Sequence, residues 1–215
     1  MMTVENSIVF VVDDDPSMRR GLHRLILSAG YVVETFASAK DFLQRRPTKG
    51  PSCLVLDVKM PDISGLDLQE ELLSKENAIP IIFISGHGDI PMSVKTLKKG
   101  AVNFLSKPVD EKDLLDAIHE ALQKDFHSRS AQKEQEKIHH CLELLTPREY
   151  EILRCVIAGM LNKQIASDLK ISEVTVKIHR GRVMEKMCVD SVAALVRLTE
   201  KMGIEPLIHT SKPNL

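Results

Sequence analysis

Apolar residues along this chain follow one rule in its first half and another in its second. Five short apolar runs come first: Ile8–Val12, Val32–Phe36, Cys53–Leu56, Ile79–Ser85 and Ala101–Leu105. Runs of this kind are expected of strands buried on both faces. Between and after them lie segments with helical spacing: Ser17–Ala29, Ala39–Gln44, Leu66–Leu73, Pro91–Lys98 and Glu111–Leu122. Strands and helices in strict alternation predict an α/β domain, a parallel sheet with helices on both faces, over residues 5–123.

The pattern then changes. Gln123–His140 is dominated by Lys, Glu, Gln, Arg, Ser and His, and no glycine or proline occurs from Asp110 to Leu145. Such a stretch is too polar to hold a core. It predicts a helical linker over 124–143, continuous with the helix before it. From Thr146 onward only helical periodicity remains. Pro147–Ile157, Asn162–Leu169, Glu173–Met187 and Ser191–Lys201 predict four short helices within a second domain at 144–203. Thr146-Pro147-Arg148-Glu149 has the form of a helix start, with a capping threonine, a proline in the first turn and an acid three residues on. Residues 204–215 are expected to form a flexible tail.

Charge narrows the picture. The net charge of the 215-residue chain is −1, so any nucleic-acid surface must be local rather than spread over the molecule. No apolar run reaches the roughly 18–20 residues of a membrane span, and Met1–Ser7 carries no export signal, which predicts a cytoplasmic protein with no membrane partner. Cys53, Cys141, Cys155 and Cys188 form no CxxC pair and read as reduced thiols rather than metal ligands or disulfides.

Candidate chemistry sits at the strand ends. Asp13, Asp14 and Asp15 follow the first run, Asp57 ends the third, Ser85 ends the fourth and Lys107 follows the fifth. In a parallel sheet these ends emerge on one edge, where ligands bind. Crowded carboxylates repel one another unless they are neutralised. Lys107 supplies one positive charge, and a hard divalent cation, Mg²⁺ or Mn²⁺, would supply two more. Asp15 is set aside as an ordinary turn residue.

A second concentration of charge lies between Lys170 and Lys186, where five basic residues face two acidic ones, a local charge of +3. Asn162–Leu169, the turn Lys170-Ile171-Ser172 and Glu173–Met187 read as a helix-turn-helix. Helical phase puts Val176, Val183 and Met187 on an inner face. Val174, Lys177, Ile178, Gly181 and Arg182 then point outward. Apolar groups among basic ones suit a helix in a major groove, where they touch thymine methyls. Thr175 belongs to the same candidate surface, and Lys163 and Lys186 are expected nearer the phosphates.

Val12-Asp13-Asp14, Leu56-Asp57-Val58-Lys59-Met60-Pro61, Ile84-Ser85-Gly86-His87 and Lys107-Pro108 together resemble the receiver domain of two-component response regulators. Leu145-Thr146-Pro147-Arg148-Glu149, Gly159-Met160-Leu161-Asn162-Lys163-Gln164-Ile165-Ala166 and Val174-Thr175-Val176-Lys177-Ile178-His179 resemble the LuxR/NarL-type four-helix DNA-binding domain. The whole is similar to FixJ-type regulators. The resemblance implies a flavodoxin-like, doubly wound sheet in the order 2-1-3-4-5. It implies that Asp57 accepts a phosphoryl group from a sensor histidine kinase, while Asp13, Asp14, Asp57 and the backbone carbonyl of Lys59 hold the metal. Ser85 and Lys107 would bind phosphoryl oxygens, Phe104 would be the switch aromatic, and the Lys107-Pro108 bond would be cis. Lys59 and His87 would modulate phosphoryl lifetime. The implied partners are promoter DNA, RNA polymerase and, after phosphorylation, a second copy of the chain. Cys188 departs from the family, which usually has a small or polar residue there.

Two other readings compete. A receiver used only for protein contacts, with phosphorylation-independent DNA binding, predicts a broken acidic pocket. An enzyme, such as a haloacid dehalogenase-like phosphatase, would want an acid two residues after the nucleophile, where Lys59 stands. It would also leave the second domain unexplained, so the reading is of a regulator rather than an enzyme.

Overall fold

A computed structural model describes residues 7–74, 79–86 and 90–207. The chain divides into two compact units, Met1–Ser130 and Ala131–Leu215.

In the first unit, β1 (Ile8–Val12), β2 (Val32–Phe36), β3 (Ser52–Asp57), β4 (Ile81–Ser85) and β5 (Asn103–Ser106) form a parallel sheet in the order β2-β1-β3-β4-β5. The helices between and after them are α1 (Pro16–Ser28), α2 (Ala39–Leu43), α3 (Gly65–Ser74), α4 (Ile90–Lys98) and α5 (Glu111–Glu143). Successive side chains on a strand point to opposite faces. Val9, Val11, Val55, Ile82 and Ile84 therefore pack with Ile26 of α1 and Leu114 and Ile118 of α5. Phe10, Leu54, Leu56 and Phe83 pack on the other face with Phe42, Leu68 and Leu72 of α2 and α3. β1, β3 and β4 are buried almost throughout. β2 is not: Val32, Glu34 and Thr35 are exposed. It is an edge strand with one neighbour, and Glu34 is the residue that interrupts its apolar run. β5, at the other edge, is half-buried.

α5 runs without interruption for 33 residues, through the stretch expected to link two domains. Its middle remains attached to the sheet. Asp125 is buried and accepts the Ser52 backbone N–H at 2.8 Å, while Arg129 donates to Thr48 O at 3.2 Å. These bonds explain why the first unit extends past residue 123 to Ser130.

In the second unit, Ile138 of α5 packs with α6 (Pro147–Ile157), α7 (Asn162–Leu169), α8 (Glu173–Lys186) and α9 (Val192–Lys201). The core joins Ile152, Leu153, Ile165, Val176, Val183 and Leu195. Thr146 caps α6 in a box with Glu149, and Ser172 caps α8. Lys170 closes α7 in the left-handed conformation, φ 52°, which turns the chain sharply into α8. The expected tail is corrected at its start. Ile204 and Leu207 pack against the core, Leu207 N–H donates to Arg154 O at 3.2 Å, and Arg154 Nε donates to Glu205 O at 3.0 Å. Two apolar residues spaced within an otherwise polar end supply that anchoring.

Candidate functional site

β1, β3 and β5 deliver their carboxyl ends to one point. Asp13 follows β1 and is 1% exposed; Asp57 ends β3 and is 8% exposed. Lys107, after β5, places Nζ 2.9 Å from Asp13 Oδ2 and 3.0 Å from Asp57 Oδ2. Its own backbone N–H donates to Ser85 O at 2.8 Å, which fixes the β4 and β5 ends together. Carboxylate oxygens of Asp13, Asp14 and Asp57 lie within 4.8 Å of one another, and Asp14 is exposed. An oxygen-only donor set with one solvent-facing member fits a hard divalent cation that keeps part of its water shell.

The electrostatics follow from that crowding. Burial pushes the Asp57 carboxyl up and the neighbouring Asp13 charge adds to this, against the hydrogen bond and charge of Lys107 and the Lys59 backbone N–H. Burial alone would lower the Lys107 ammonium, but Asp13 and Asp57 outweigh it and raise it. The lysine is thus firmly charged, and it partly neutralises a site that still carries excess negative charge.

In the second unit, α8 presents the two faces expected of it. Val176, Val183 and Met187 are buried, while Val174 is 69% and Ile178 52% exposed. Lys177, Gly181 and Arg182 are exposed alongside them, as is Lys163 on α7. Arg180 donates to Asn162 Oδ1 at 3.0 Å, tying α8 to the start of α7.

Residues 9–119 match the response regulator receiver domain family, and residues 143–199 match the bacterial regulatory proteins of the luxR family. The chain is a response regulator. It is 50% identical over 198 residues to nodulation protein W of Bradyrhizobium diazoefficiens, covering 92% of this chain and 87% of that one. It is 46% identical over 201 residues to the response regulator protein TodT of Pseudomonas putida, covering 94% and 88%. Among solved structures, the response regulator StyR shares 49% identity and a TM-score of 0.86, covering 91% of this chain and 99% of that chain. The full-length FixJ from B. japonicum shares 36% identity and a TM-score of 0.55, covering 91% and 97%.

Within this response regulator the structure brings together Asp13, Asp14, Asp57 and Lys107, with Ser85 buried at the neighbouring strand end. Phe104 is half-buried on β5, its ring centroid 6.5 Å from that of Phe83. Lys59 is exposed, and His87 lies outside the described residues. The Lys107-Pro108 bond is cis. Asp15, set aside as a turn residue, caps α1 by accepting the Ser17 N–H at 2.7 Å.

Two residues of the expected DNA surface, Lys186 and Thr175, also make contacts within the domain. Lys186 does not offer a free ammonium: Nζ lies 2.6 Å from Glu149 Oε2 and 3.0 Å from Leu144 O. The Glu149 carboxylate is buried and paired with that ammonium, while the lysine side chain remains partly exposed. Thr175 is half-buried, with its hydroxyl 2.8 Å from that of the capping Ser172.

Other residues of the site escaped the sequence reading. A Cβ on Gly65 would stand 2.3 Å from Asp57 O, so only glycine lets α3 approach the end of β3. The signal available was a glycine at the start of a helix, Ser64-Gly65-Leu66, which alone is common. Arg19 donates to Asp13 O at 2.6 Å and steadies the first acidic turn. Glu149 looked like a capping acid and is also the buried partner of Lys186.

Proposed function

We propose that this regulator is switched by phosphorylation of Asp57 and then binds promoter DNA as a dimer. The observation that carries the reading is the single ammonium of Lys107 shared by Asp13 and Asp57 at 2.9 and 3.0 Å. Asp57 attacks the phosphorus of a phosphohistidine on a sensor kinase, and the imidazole leaves. Phosphoryl transfer depends on positioning and charge neutralisation more than on covalent help. Asp13, Asp14 and Asp57, with the Lys59 carbonyl, would hold Mg²⁺ or Mn²⁺, which supplies the remaining positive charge. Phosphorylation adds roughly one further negative charge beside Lys107 and Ser85. Lys107 then pairs with the new oxygens, Ser85 donates a hydroxyl to one of them, and Phe104 moves inward on β5. Val94 and Leu97 expose apolar side chains on α4, next to that strand, and form the dimer surface.

The output is a helix-turn-helix that presents Val174, Lys177, Ile178, Gly181 and Arg182 to the major groove and Lys163 to phosphates, with recruitment of RNA polymerase to follow. Among the described residues no helix is long and apolar enough to cross a membrane, and the reading places the regulator in the cytoplasm with no catalytic turnover of its own. The test is incubation with a small acyl phosphate and Mg²⁺. One phosphoryl group per chain, lost in Asp57→Asn, is expected, together with dimers in ultracentrifugation. A stable acyl phosphate on Asp57→Asn rejects the assignment; tight DNA binding regardless of phosphorylation favours a receiver used only for protein contacts.

A further inference from the structure

The loop between α2 and β3 carries charge that no assigned function uses. Residues 44–51 hold Arg45, Arg46 and Lys49 and no acid. Arg45 is fixed by stacking: its guanidinium carbon stands 3.8 Å over the Phe42 ring centre and 5.1 Å over that of Phe10. Nη1 donates to Phe42 O at 3.2 Å, and Nε is buried without a partner. Among the described residues no carboxylate pairs with this guanidinium. Burial lowers its pKa, Glu34 draws the other way from beyond pairing distance, and the Arg129 charge adds to the lowering. Arg129 comes from α5, where Asp125 balances it at 2.5 Å. Its Nη1 donates to Thr48 O at 3.2 Å and its Nη2 to Ser52 Oγ at 3.3 Å, which holds the second guanidinium against the same loop. Leu43, Arg45, Pro47, Thr48 and Arg129 line a cavity of about 300 Å³.

We propose that this cavity binds the phosphate group of a small phosphorylated molecule between Arg45 and Arg129. Planar guanidiniums match phosphate oxygens, and Arg45 is pre-positioned by its stack with donors still unused. The charge favours a dianion over a monoanion. Asp125 offsets Arg129, but Arg45 is unpaired, and Arg46 and Lys49 are exposed in the same acid-free loop. An anion between the two arginines would relieve their mutual repulsion and satisfy donors that the fold leaves over. Leu43 and Pro47 supply an apolar wall for the body of the molecule, and the volume suits a small one. The site is separate from the phosphoryl pocket. Ser52 opens β3 and Asp57 ends it, so the two lie at opposite edges of the sheet, roughly 17 Å apart along an extended strand. Its consequence is local to α5. Arg129 stands next to Ser130, the last residue of the first unit, and a ligand held there ties that part of the helix more firmly to the loop.

The experiment titrates the full-length protein, without Mg²⁺, with phenyl phosphate, inorganic phosphate and benzoate, by calorimetry and by backbone amide shifts. Saturable binding of one phenyl phosphate per chain is expected, with the largest shifts at Arg45, Thr48, Ser52 and Arg129. Benzoate, a monoanion, should bind at least about fivefold more weakly. Inorganic phosphate should occupy the same residues; equal affinity would identify free phosphate as the occupant, and weaker binding a phosphorylated molecule with a body. Arg45→Met keeps an unbranched stem on Phe42 and should weaken phenyl phosphate at least about tenfold, while Arg45→Lys, which keeps the charge without the planar fork, should fall between. Hydrogen exchange over residues 122–130 should slow at least about threefold with ligand bound. Shifts centred on Lys107 or on α8, benzoate binding as tightly as phenyl phosphate, or full affinity in Arg45→Met would each overturn the assignment. Asp57→Asn should bind phenyl phosphate as the parent does, and Arg45→Met should still take up a phosphoryl group at Asp57, so the two sites are tested apart.

Discussion

Lys186 Nζ stands 2.6 Å from Glu149 Oε2, and this contact joins the last turn of α8 to the first turn of α6. Glu149 is 2% exposed and also accepts the Thr146 backbone N–H at 2.9 Å. A buried carboxylate without a counter-charge is costly, so the lysine at the end of the recognition helix completes the fold of its own domain.

That contact sets an acid limit for the second unit. The Lys186 hydrogen bond and the Thr146 N–H bring the Glu149 carboxyl from 4.5 down to about 2. An acid whose pKa is depressed in the folded state stabilises the fold fully above its unfolded value. Its contribution is lost as pH falls from about 4.5 towards about 2. The pair lies partly in solvent on the lysine side, so its worth is about 1–3 kcal/mol. Glu149→Gln should lower the melting temperature of the DNA-binding unit at pH 7 and flatten its pH dependence across that window. An unchanged acid slope in the variant would remove the role given to this carboxylate.

Gly65 imposes a steric limit at the end of β3, the strand that carries Asp57. An added methyl would meet the Asp57 carbonyl oxygen at 2.3 Å, and the Gly65 N–H already holds Val58 O at 3.0 Å. Backbone cannot rotate away as a side chain can. Gly65→Ala should destabilise the receiver by about 1–3 kcal/mol or more and slow phosphorylation by acyl phosphates, both measurable on one sample. Wild-type rates and stability would mean that α3 can shift at no cost.

The sequence disclosed some of this and concealed the rest, for physical reasons. Strand and helix positions were readable because buried central strands leave unbroken apolar runs such as Cys53–Leu56, whereas the strand order came from the family resemblance; the pocket was readable because its acids and lysine sit at the ends of those runs. Burial of β2 was overestimated because an edge strand and a central one differ by a single charged residue, Glu34. The Glu149–Lys186 pair was invisible because its partners lie in different helices, and sequence spacing reports only neighbours within one helix.

The acidic cluster should trade stability for metal binding. Asp14 is exposed and shares its surroundings with two carboxylates, against one lysine. Replacing it by asparagine removes repulsion and keeps size. Asp14→Asn should melt higher than the parent without metal, by a few degrees, and lose the stabilisation that Mg²⁺ gives the parent. Titration should show Mg²⁺ affinity reduced at least about tenfold. Undiminished Mg²⁺ stabilisation would place the metal elsewhere.

The three roles given to lysines on α7 and α8 separate cleanly in binding and stability measurements. Lys177 is exposed one residue from Ile178, away from buried Val176 and Val183, and the proposed function assigns it to base edges. Lys163 is exposed on α7 and is assigned to the phosphates. Lys186 is engaged with Glu149 and is assigned to neither. Lys177→Ala should therefore cost about 1–3 kcal/mol at the preferred site and relax base preference. Lys163→Ala should weaken all sequences alike and lower the slope of log K against log salt by about one. Lys186→Ala should leave that slope unchanged while lowering the melting temperature of the second unit. Binding titrations at several salt concentrations, with preferred and scrambled duplexes, measure all three. If Lys186→Ala reduced the salt slope by one and left the melting temperature alone, its ammonium would belong to the DNA and not to Glu149.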